Sequence, residues 1–245
     1  MRAAVFRKGS IVVDTVPDPV PDEGQVMVRT LACGICGSDL HAAKHTRQFV
    51  DLGKRTGNRF SMDADRDVVF GHEFCCEVVE YGPRTPARLK PGTLVCSMPM
   101  TLAGETVQGI GYSNDIAGGY GQYMPLADKL LLEVPNGLPA SSAALTEPIA
   151  VGWHAVQQAR LTAEDVPLVV GCGPVGLAVI AGLAIKVSLS CPAACAAPRT
   201  TPSCTPWLCA GGTFAPHPTC MRTASSSSAP ISWSIRRRDR RTRPG

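Results

Sequence analysis

The stretch VVGCGPVGLAVIAGLAIKVSLSCPAACAAPR, at residues 169–199, begins as one kind of sequence and ends as another. Three glycines, Gly171, Gly173 and Gly176, lie where the apolar run VPLVVG, which ends at Gly171, meets a long apolar segment that opens at Pro174. Glycines at this spacing, between a strand and a helix, are typical of the turn that receives the pyrophosphate of a dinucleotide at a helix N-terminus. The candidate cofactor-binding residues are therefore Gly171, Gly173, Pro174, Val175 and Gly176.

The same fingerprint predicts a second strand that ends in an acidic residue about 20 residues farther on. That position falls near residues 191–196, which read CPAACA, and no acid occurs between Asp165 and Asp239. This acid would bind the ribose hydroxyl of the cofactor. Because it is missing, the sequence does not distinguish NAD from NADP. The sequence therefore predicts the beginning of a nucleotide-binding α/β domain at residues 148–186, without its continuation.

Residues 187–245 differ in composition from the rest of the chain. Leu, Ile, Val and Phe make up 6 of these 59 residues, against 8 prolines. So few large apolar side chains cannot offset the conformational entropy that folding removes. We therefore predict a largely disordered tail, and we hypothesise that the reading frame is lost just after Lys186. Translation of the DNA in the other two frames would test this.

The charge of the chain is divided just as unevenly. Residues 1–186 hold 16 basic and 19 acidic residues, whereas residues 187–245 hold 8 arginines and a single acid, Asp239. The formal net charge of +4 is therefore a property of the tail. Within it, RRRDRRTR at 236–243 is similar to a basic arm for nucleic acid. No structured module accompanies that run, so we do not expect a nucleic-acid partner.

The composition and the absence of long apolar runs predict the cellular compartment of the protein. No apolar run is long enough for a transmembrane helix, and the N-terminus lacks the apolar core of a signal peptide. We therefore expect a cytoplasmic protein with reduced thiols. The 11 cysteines are then expected to be metal ligands or isolated thiols rather than a disulfide framework.

The first 135 residues consist of short β-rich runs, such as QVMVRTL and FCCEVVEY, separated by segments rich in Pro, Gly and Asp. This pattern predicts an irregular antiparallel β-domain. The polar segment 42–66 is interpreted as a surface lobe. From Pro139 the apolar spacing becomes helical, and Pro148 is expected to be the first residue of a helix. The run VPLVVG is expected to be a buried strand.

Three segments carry the residue types of a catalytic zinc site. CGICGSDLH holds Cys36, GHE holds His72 and Glu73, and TEP holds Glu147. A thiolate, an imidazole and a carboxylate from separate segments suit a zinc ion that keeps one position for water or substrate. Each segment alone has another explanation. Cys33 and Cys36 could be half of a structural zinc site or a redox motif, His72 a structural histidine, and Glu147 a helix-start carboxylate.

Taken together, these segments resemble the zinc-containing medium-chain alcohol dehydrogenases. Cys-Gly-Ser-Asp-x-His comes first, then Gly-His-Glu, then Gly-x-Gly-x-x-Gly, and LKPGTLV, GGYGQYM and LTEPIAVGWHAV also match family segments. The resemblance covers residues 1–186 almost continuously. It implies a mixed α/β fold. Residues 1–147 would be a GroES-like β-rich catalytic domain, 148–186 the start of a doubly wound Rossmann domain, and 187–245 a low-order basic tail.

The resemblance also implies one catalytic zinc ion per chain. Cys36, His72 and Glu147 would be its ligands, with Glu147 as the carboxylate that some family members use in place of a cysteine. Glu73 would be a neighbouring carboxylate able to approach the metal.

The resemblance further implies roles in proton handling. Asp39 would fix the tautomer of His72, and Ser38 and His41 would pass a proton to solvent. Cys33 has no part in this scheme and is interpreted as structural.

The sequence departs from the family pattern at two points. Cys75, Cys76 and Cys96 lack the spacing of the family's second, structural zinc lobe. Cys76 also stands where the family usually has a glycine after Gly-His-Glu, which places a side chain near the predicted metal.

The activity that the resemblance implies is hydride transfer between a small alcohol and its aldehyde or ketone, linked to NAD or NADP. A homo-oligomer is implied for intact family members. The alternative hypothesis is an inactive zinc-binding remnant with a disordered tail. Saturable NADH binding with turnover would support the enzyme, and zinc without cofactor binding would support the remnant. A zinc-free reductase of the same superfamily is disfavoured by Cys36, His72 and Glu147 together.

Overall fold

The computed structural model describes residues 1–57, 62–103, 106–162 and 165–190. By its internal contacts the chain divides into two units, Met1–Glu147 and Pro148–Gly245. The expectations of a disordered, out-of-frame tail fall almost wholly on residues outside the described ranges, and they stay predictions.

The described residues form short strands, five α-helices and one short 3-10 helix, Asp128–Leu130. The strands are β1 (Arg2–Arg7), β2 (Ser10–Thr15), β3 (Gln25–Cys33), β4 (Val68–Val69), β5 (Phe74–Tyr81), β6 (Leu94–Ser97), β7 (Met100–Ala103), β8 (Thr106–Gly109), β9 (Tyr123–Ala127) and β10 (Leu131–Glu133). The helices are α1 (Gly37–Lys44), α2 (Thr46–Arg55), α3 (Ala140–Ala143), α4 (Thr146–Gln158) and α5 (Pro174–Ser190).

The first unit is built on a five-stranded antiparallel sheet in the order β10-β6-β5-β3-β9. A three-stranded sheet, β2-β1-β4, and the hairpin β7-β8 accompany it. Every β-rich run predicted within the first 135 residues contains a strand, because apolar residues at alternate positions turn to one face. The central sheet buries a core that includes Val26, Val28, Val78 and Val95. Burying each such side chain contributes about 1.5–3 kcal/mol.

Cys76 belongs to this same core. Its side chain is fully buried, and it lies opposite Thr30 in the ladder between β3 and β5. The side chain that replaces the family's glycine therefore fills the sheet core.

The segment 42–66, interpreted as a polar surface lobe, is largely helical. Helix α2 has a polar outer surface, but Val50 points inward with Ala42 and Met62 into a second core cluster. The composition of the segment hid this helix, because only a few of its residues supply the apolar face.

Helix α4 begins at Thr146 rather than at the predicted Pro148. The proline still lies in the first helical turn, where backbone N–H groups have no partner inside the helix, so its missing N–H costs little.

The second unit contains the closely packed pair α4 and α5. A Cβ added at Gly152 would lie 2.6 Å from Cβ of Ala178, so only glycine permits this approach. Val156, Val179 and Leu183 form the core between the two helices. Helix α5 continues to Ser190, four residues beyond the predicted boundary at Lys186.

The expectation of a buried strand at VPLVVG was wrong for the described structure. Residues 166–170 are not assigned to a strand, apart from a bridge at Val170. Val166, Leu168 and Val170 are 71%, 43% and 51% exposed. A central strand is buried only when neighbouring strands and helices cover both faces. No named strand of the described chain belongs to this unit.

Among the described residues, no helix is long and apolar enough to cross a membrane.

Candidate metal centre

The pairing of β3 with β5 brings two distant segments together. Cys33 lies opposite Phe74 at the end of this ladder, and the amide of Gly34 donates to the carbonyl of Glu73 at 2.7 Å. Helix α1 follows directly, with Cys36 as its N-cap residue. The sheet register thus places the first residues of α1 beside the segment that enters β5.

The residues brought together are Cys36, His72 and Glu73. Their potential ligand atoms, one sulfur, one imidazole nitrogen and one carboxylate oxygen, all lie within 4.8 Å of one another. His72 and Glu73 are only 8% and 6% exposed, and Cys36 is half-buried. Buried groups of this kind normally require pairing or coordination, so the cluster is a candidate metal site.

Glycine at two positions makes room for this cluster. A Cβ at Gly34 would collide with the carboxylate of Glu73. At Gly71, which has a φ of +99°, a Cβ would lie 2.8 Å from the backbone nitrogen of Tyr120 and 2.9 Å from Sγ of Cys33. The Gly-His-Glu turn therefore needs its glycine both for its backbone conformation and for space.

Asp39 lies behind the cluster and is 3% exposed. Its Oδ1 is 3.2 Å from Nδ1 of His72, and its Oδ2 accepts the amide hydrogen of Cys36 at 3.1 Å. Burial acts to raise the pKa of Asp39, but the contacts with His72, Tyr120 and the Cys36 amide outweigh it and hold the pKa below its ordinary value.

His72 responds to the same contacts. Burial acts to lower its pKa, but Asp39 and Cys36 together raise it to about 10. The Nδ1 atom is within hydrogen-bond distance of Asp39, but its N–H does not point squarely at the oxygen, and no other group pairs with this nitrogen in the described chain. We therefore treat the contact as an ion pair of the protonated ring. It occupies Nδ1, so that a metal can bind Nε2 once the ring gives up the proton on that nitrogen.

Glu147, the third ligand that the family pattern implies, is not part of this three-residue cluster. It is the second residue of α4 and is half-buried. Burial raises the pKa of Glu147, His72 opposes this rise, and the negative charges of Glu73 and Asp39 add to it. The charges of His72, Glu73 and Asp39 therefore all act on the pKa of the Glu147 carboxyl.

The residues expected to carry a proton to solvent lie on α1. Oγ of Ser38 is 2.8 Å from the hydroxyl of Tyr112. His41 is exposed, and its ring centre is 6.2 Å from that of His45. Within the described ranges no hydrogen bond joins Ser38 to His41.

Sequence reasoning missed two tyrosines. The hydroxyl of Tyr112 lies 3.1 Å from Oδ1 of Asp39, and the hydroxyl of Tyr120 donates to Oδ2 at 2.8 Å. Burial is the main cause that raises the pKa of both phenols, and the nearby carboxylate adds to it. GGYGQYM matched a family segment and contains Tyr120, but no local signal connected either tyrosine with Asp39.

Cys33 lies outside the cluster. Burial raises its pKa to about 12, which keeps the thiol protonated. A Cβ at Gly119 would lie 2.6 Å from its sulfur, so this sulfur packs tightly against backbone.

The glycine turn of the second unit has a backbone conformation at Gly171 that favours glycine, and it leads directly into α5. Gly171 has a φ of +97°, a conformation that favours glycine. Pro174 begins α5, and the amide of Leu177 donates to the carbonyl of Gly173 at 2.9 Å. A Cβ at Gly173 would meet nothing within 4 Å, so the space in front of it is open within the described unit. Val175 is half-buried and Gly176 buried.

The residues at the cluster fit a zinc ion. Sulfur, imidazole and carboxylate are the donors that zinc prefers, and His72 has a carboxylate behind its second nitrogen, as metal-bound histidines usually do.

The chain is similar to a known domain family and to several known dehydrogenases. Residues 22–136 match the alcohol dehydrogenase GroES-like domain. The (R,R)-butanediol dehydrogenase of Bacillus subtilis strain 168 is 32% identical over 193 residues, 75% of this chain and 54% of that protein. The L-threonine 3-dehydrogenase of Cutibacterium acnes is 34% identical over 176 residues, 66% of this chain and 47% of that protein.

A crystal structure of 2R,3R-butanediol dehydrogenase from Bacillus subtilis is similar with a TM-score of 0.62 at 30% identity, covering 75% of this chain and 55% of that one. The chain thus spans about half the length of the curated relatives it matches. The match to the GroES-like domain and to these dehydrogenases shows that the chain belongs to the zinc-containing medium-chain alcohol dehydrogenase family.

Proposed function

We propose that the function of this chain is zinc-dependent, NAD(P)-linked oxidation of a small alcohol. Residues 1–147 would be the zinc-binding catalytic domain, and residues 148–186 the start of the cofactor domain. The observation that carries this proposal is the buried cluster of Cys36, His72 and Glu73. The half-buried carboxyl of Glu147 supports it, because the charge of Glu73 acts on it and a zinc ion would neutralise both acids.

A zinc ion at these residues would supply Lewis-acid polarisation of an alcohol oxygen. The chain's own residues would then do the positioning. Asp39 holds Nδ1 of His72, which leaves Nε2 as the coordinating atom. Ser38, one residue earlier on α1, offers a hydroxyl that can receive a proton from substrate. The open turn at Gly173 would admit the pyrophosphate of NAD or NADP.

The relatives suggest the substrate class to test first. A butanediol dehydrogenase and a threonine dehydrogenase both act on a secondary alcohol beside a second polar group. We therefore propose a small secondary alcohol with a neighbouring hydroxyl or amine as the substrate.

A second candidate function is zinc binding without turnover. Two observations favour it: the exposed apolar residues Val166, Leu168 and Val170, and the absence of an acid between Asp165 and Asp239. The first leaves uncovered the segment that should support the glycine turn. The second removes the expected partner of the cofactor's ribose.

One set of measurements separates the two candidates. Zinc content near one per chain, lost in Cys36→Ser and His72→Asn but kept in His154→Asn, would establish the metal site. His154 is an exposed residue of α4 and serves as the matched control. Saturable NADH fluorescence together with turnover of 2,3-butanediol would establish the enzyme. Zinc without NADH binding would establish the remnant, and no zinc would contradict both.

A further inference from the structure

Tyr112 contacts two residues of the candidate site at once. Its hydroxyl oxygen lies 2.8 Å from Oγ of Ser38 and 3.1 Å from Oδ1 of Asp39. Its ring packs beside the imidazole of His72, with ring centres 5.3 Å apart, and beside Phe49 at 5.2 Å. These ring contacts fix the phenol, so the position of its oxygen is determined by packing.

The number of hydrogens available determines the direction of these two hydrogen bonds. The Asp39 carboxyl already faces a donor at each oxygen: Oδ2 accepts the amide hydrogen of Cys36, and Oδ1 lies 3.2 Å from Nδ1 of His72. A carboxyl placed among donors acts as the acceptor, so the single phenolic hydrogen of Tyr112 goes to Asp39. The contact at 2.8 Å is then satisfied when the hydroxyl of Ser38 donates to the phenol oxygen. The lone pairs of the Ser38 oxygen then remain free to accept a hydrogen from another group.

Tyr120 supplies a natural comparison. Its hydroxyl donates to Oδ2 of Asp39 at 2.8 Å and lies 3.3 Å from the carbonyl oxygen of Gly34. It shares one carboxylate with Tyr112 but has no hydrogen bond to Ser38 within the described ranges.

We propose that Tyr112 is a positioning residue: it holds Asp39 against His72, and it orients the hydroxyl of Ser38 as a hydrogen-bond acceptor for the substrate's hydroxyl. This inference rests on the proposed function, because it requires His72 to hold the metal. It also changes the expected partner of Ser38, which is Tyr112 rather than His41.

The experiment measures zinc affinity by competition with a chromophoric chelator. Tyr112→Phe and Tyr120→Phe each keep the ring and remove one hydrogen bond to Asp39. We expect each to weaken zinc binding by about 10-fold, the lower end of the range for groups behind a metal ligand. Tyr81→Phe is the matched control, since Tyr81 is the last residue of β5 and its hydroxyl pairs with no described group.

A double-mutant cycle with Ser38→Ala then separates the two tyrosines. Ser38→Ala should weaken zinc binding in the wild-type and Tyr120→Phe backgrounds, and should have no further effect in the Tyr112→Phe background, a departure from additivity of about threefold or more. Equal effects of Ser38→Ala in all backgrounds would overturn the assignment, as would wild-type affinity in Tyr112→Phe.

A second pair of variants tests the same contact if Tyr112→Phe does not fold. Ser38→Thr keeps the hydroxyl and should retain zinc affinity, whereas Ser38→Ala should not. Equal affinities would overturn the proposal. A wild-type chain that binds no zinc would overturn the proposed function itself. Zinc binding whose affinity does not change in Tyr112→Phe would overturn only the role of Tyr112.

Discussion

Nδ1 of His72 lies 3.2 Å from Oδ1 of Asp39, and the two side chains are 10% and 3% exposed. The other oxygen of the same carboxylate accepts the amide hydrogen of Cys36 at 3.1 Å. One buried carboxylate therefore restrains both residues that would supply the sulfur and nitrogen ligands. Because Asp39 stands three residues after the N-cap, the start of α1 is itself part of the metal site.

Asp39→Asn should weaken zinc binding by about 10- to 100-fold, since an amide keeps the shape but removes the charge that orients His72. In the metal-free protein it should also lower the pKa of His72 from about 10. Chelator competition measures the first effect, and histidine NMR measures the second. Asp115→Asn, which removes an exposed carboxylate paired with Arg66, is the control. An unchanged affinity would contradict the assigned role of Asp39.

The metal-free protein should lose stability as the pH rises from about 6.5 to about 10. His72 has a pKa raised from 6.5 to about 10 in the folded state, so its contribution to the free energy of unfolding is complete below pH 6.5 and disappears as the ring loses its proton. Urea unfolding at several pH values measures this. Zinc should oppose the loss, because a metal-bound histidine is already neutral.

Two comparisons make this pH prediction specific. His72→Asn should flatten the dependence between pH 6.5 and 10, and the apparent zinc affinity of the wild-type chain should rise over the same range, since zinc displaces the proton of His72. A decline in stability that persists unchanged in His72→Asn would assign it to other groups.

The contrast between β5 and α2 shows what the sequence could reveal about the first unit. FCCEVVEY alternates well enough to predict its strand, and Phe74 and Val78 do point into the core. TRQFVDLGKR did not reveal its helix, because Val50 and Gly53 are its only buried residues. Local patterning detects an element when the element buries a regular face, and α2 buries too little of one.

The metal site shows the same limit at longer range. Cys36 and His72 were predicted as zinc ligands because their motifs, in their order along the chain, resemble those of a known family. Tyr112 reaches Ser38 across 74 residues of chain, and nothing near it in the sequence marks that contact. Such a residue follows only from the register of the sheets, which the sequence does not state directly.

Gly152→Ala should destabilise the second unit by about 1–3 kcal/mol, because overpacking forces the helices apart. The added Cβ would lie 2.7 Å from the backbone carbonyl carbon of Ala178 and 2.8 Å from the backbone nitrogen of Val179, atoms that cannot move away alone. Urea unfolding of the full chain measures the change.

Gly182→Ala is the matched control for that prediction. Its nearest neighbours are a ring carbon of Trp153 and a methyl of Val156, both at 3.3 Å, and these side-chain atoms can shift. The gain in helix propensity, about 1 kcal/mol, should offset the contact. Equal losses in both variants would show that the approach of α4 to α5 does not depend on Gly152.

Gly173→Ala should separate cofactor binding from folding. Its Cβ would meet nothing within 4 Å and its φ is not positive, so the free energy of unfolding should change by less than about 1 kcal/mol. The same methyl would occupy the space through which a pyrophosphate approaches the backbone, so NADH binding should fall by at least about 10-fold. Fluorescence titration with NADH measures this, with the exposed Gln158→Ala as control.

NADH binding that survives Gly173→Ala would place the cofactor away from this turn. If wild-type and variant both fail to bind while zinc content stays near one, the glycine turn is present without its function, in agreement with the missing acid near residues 191–196.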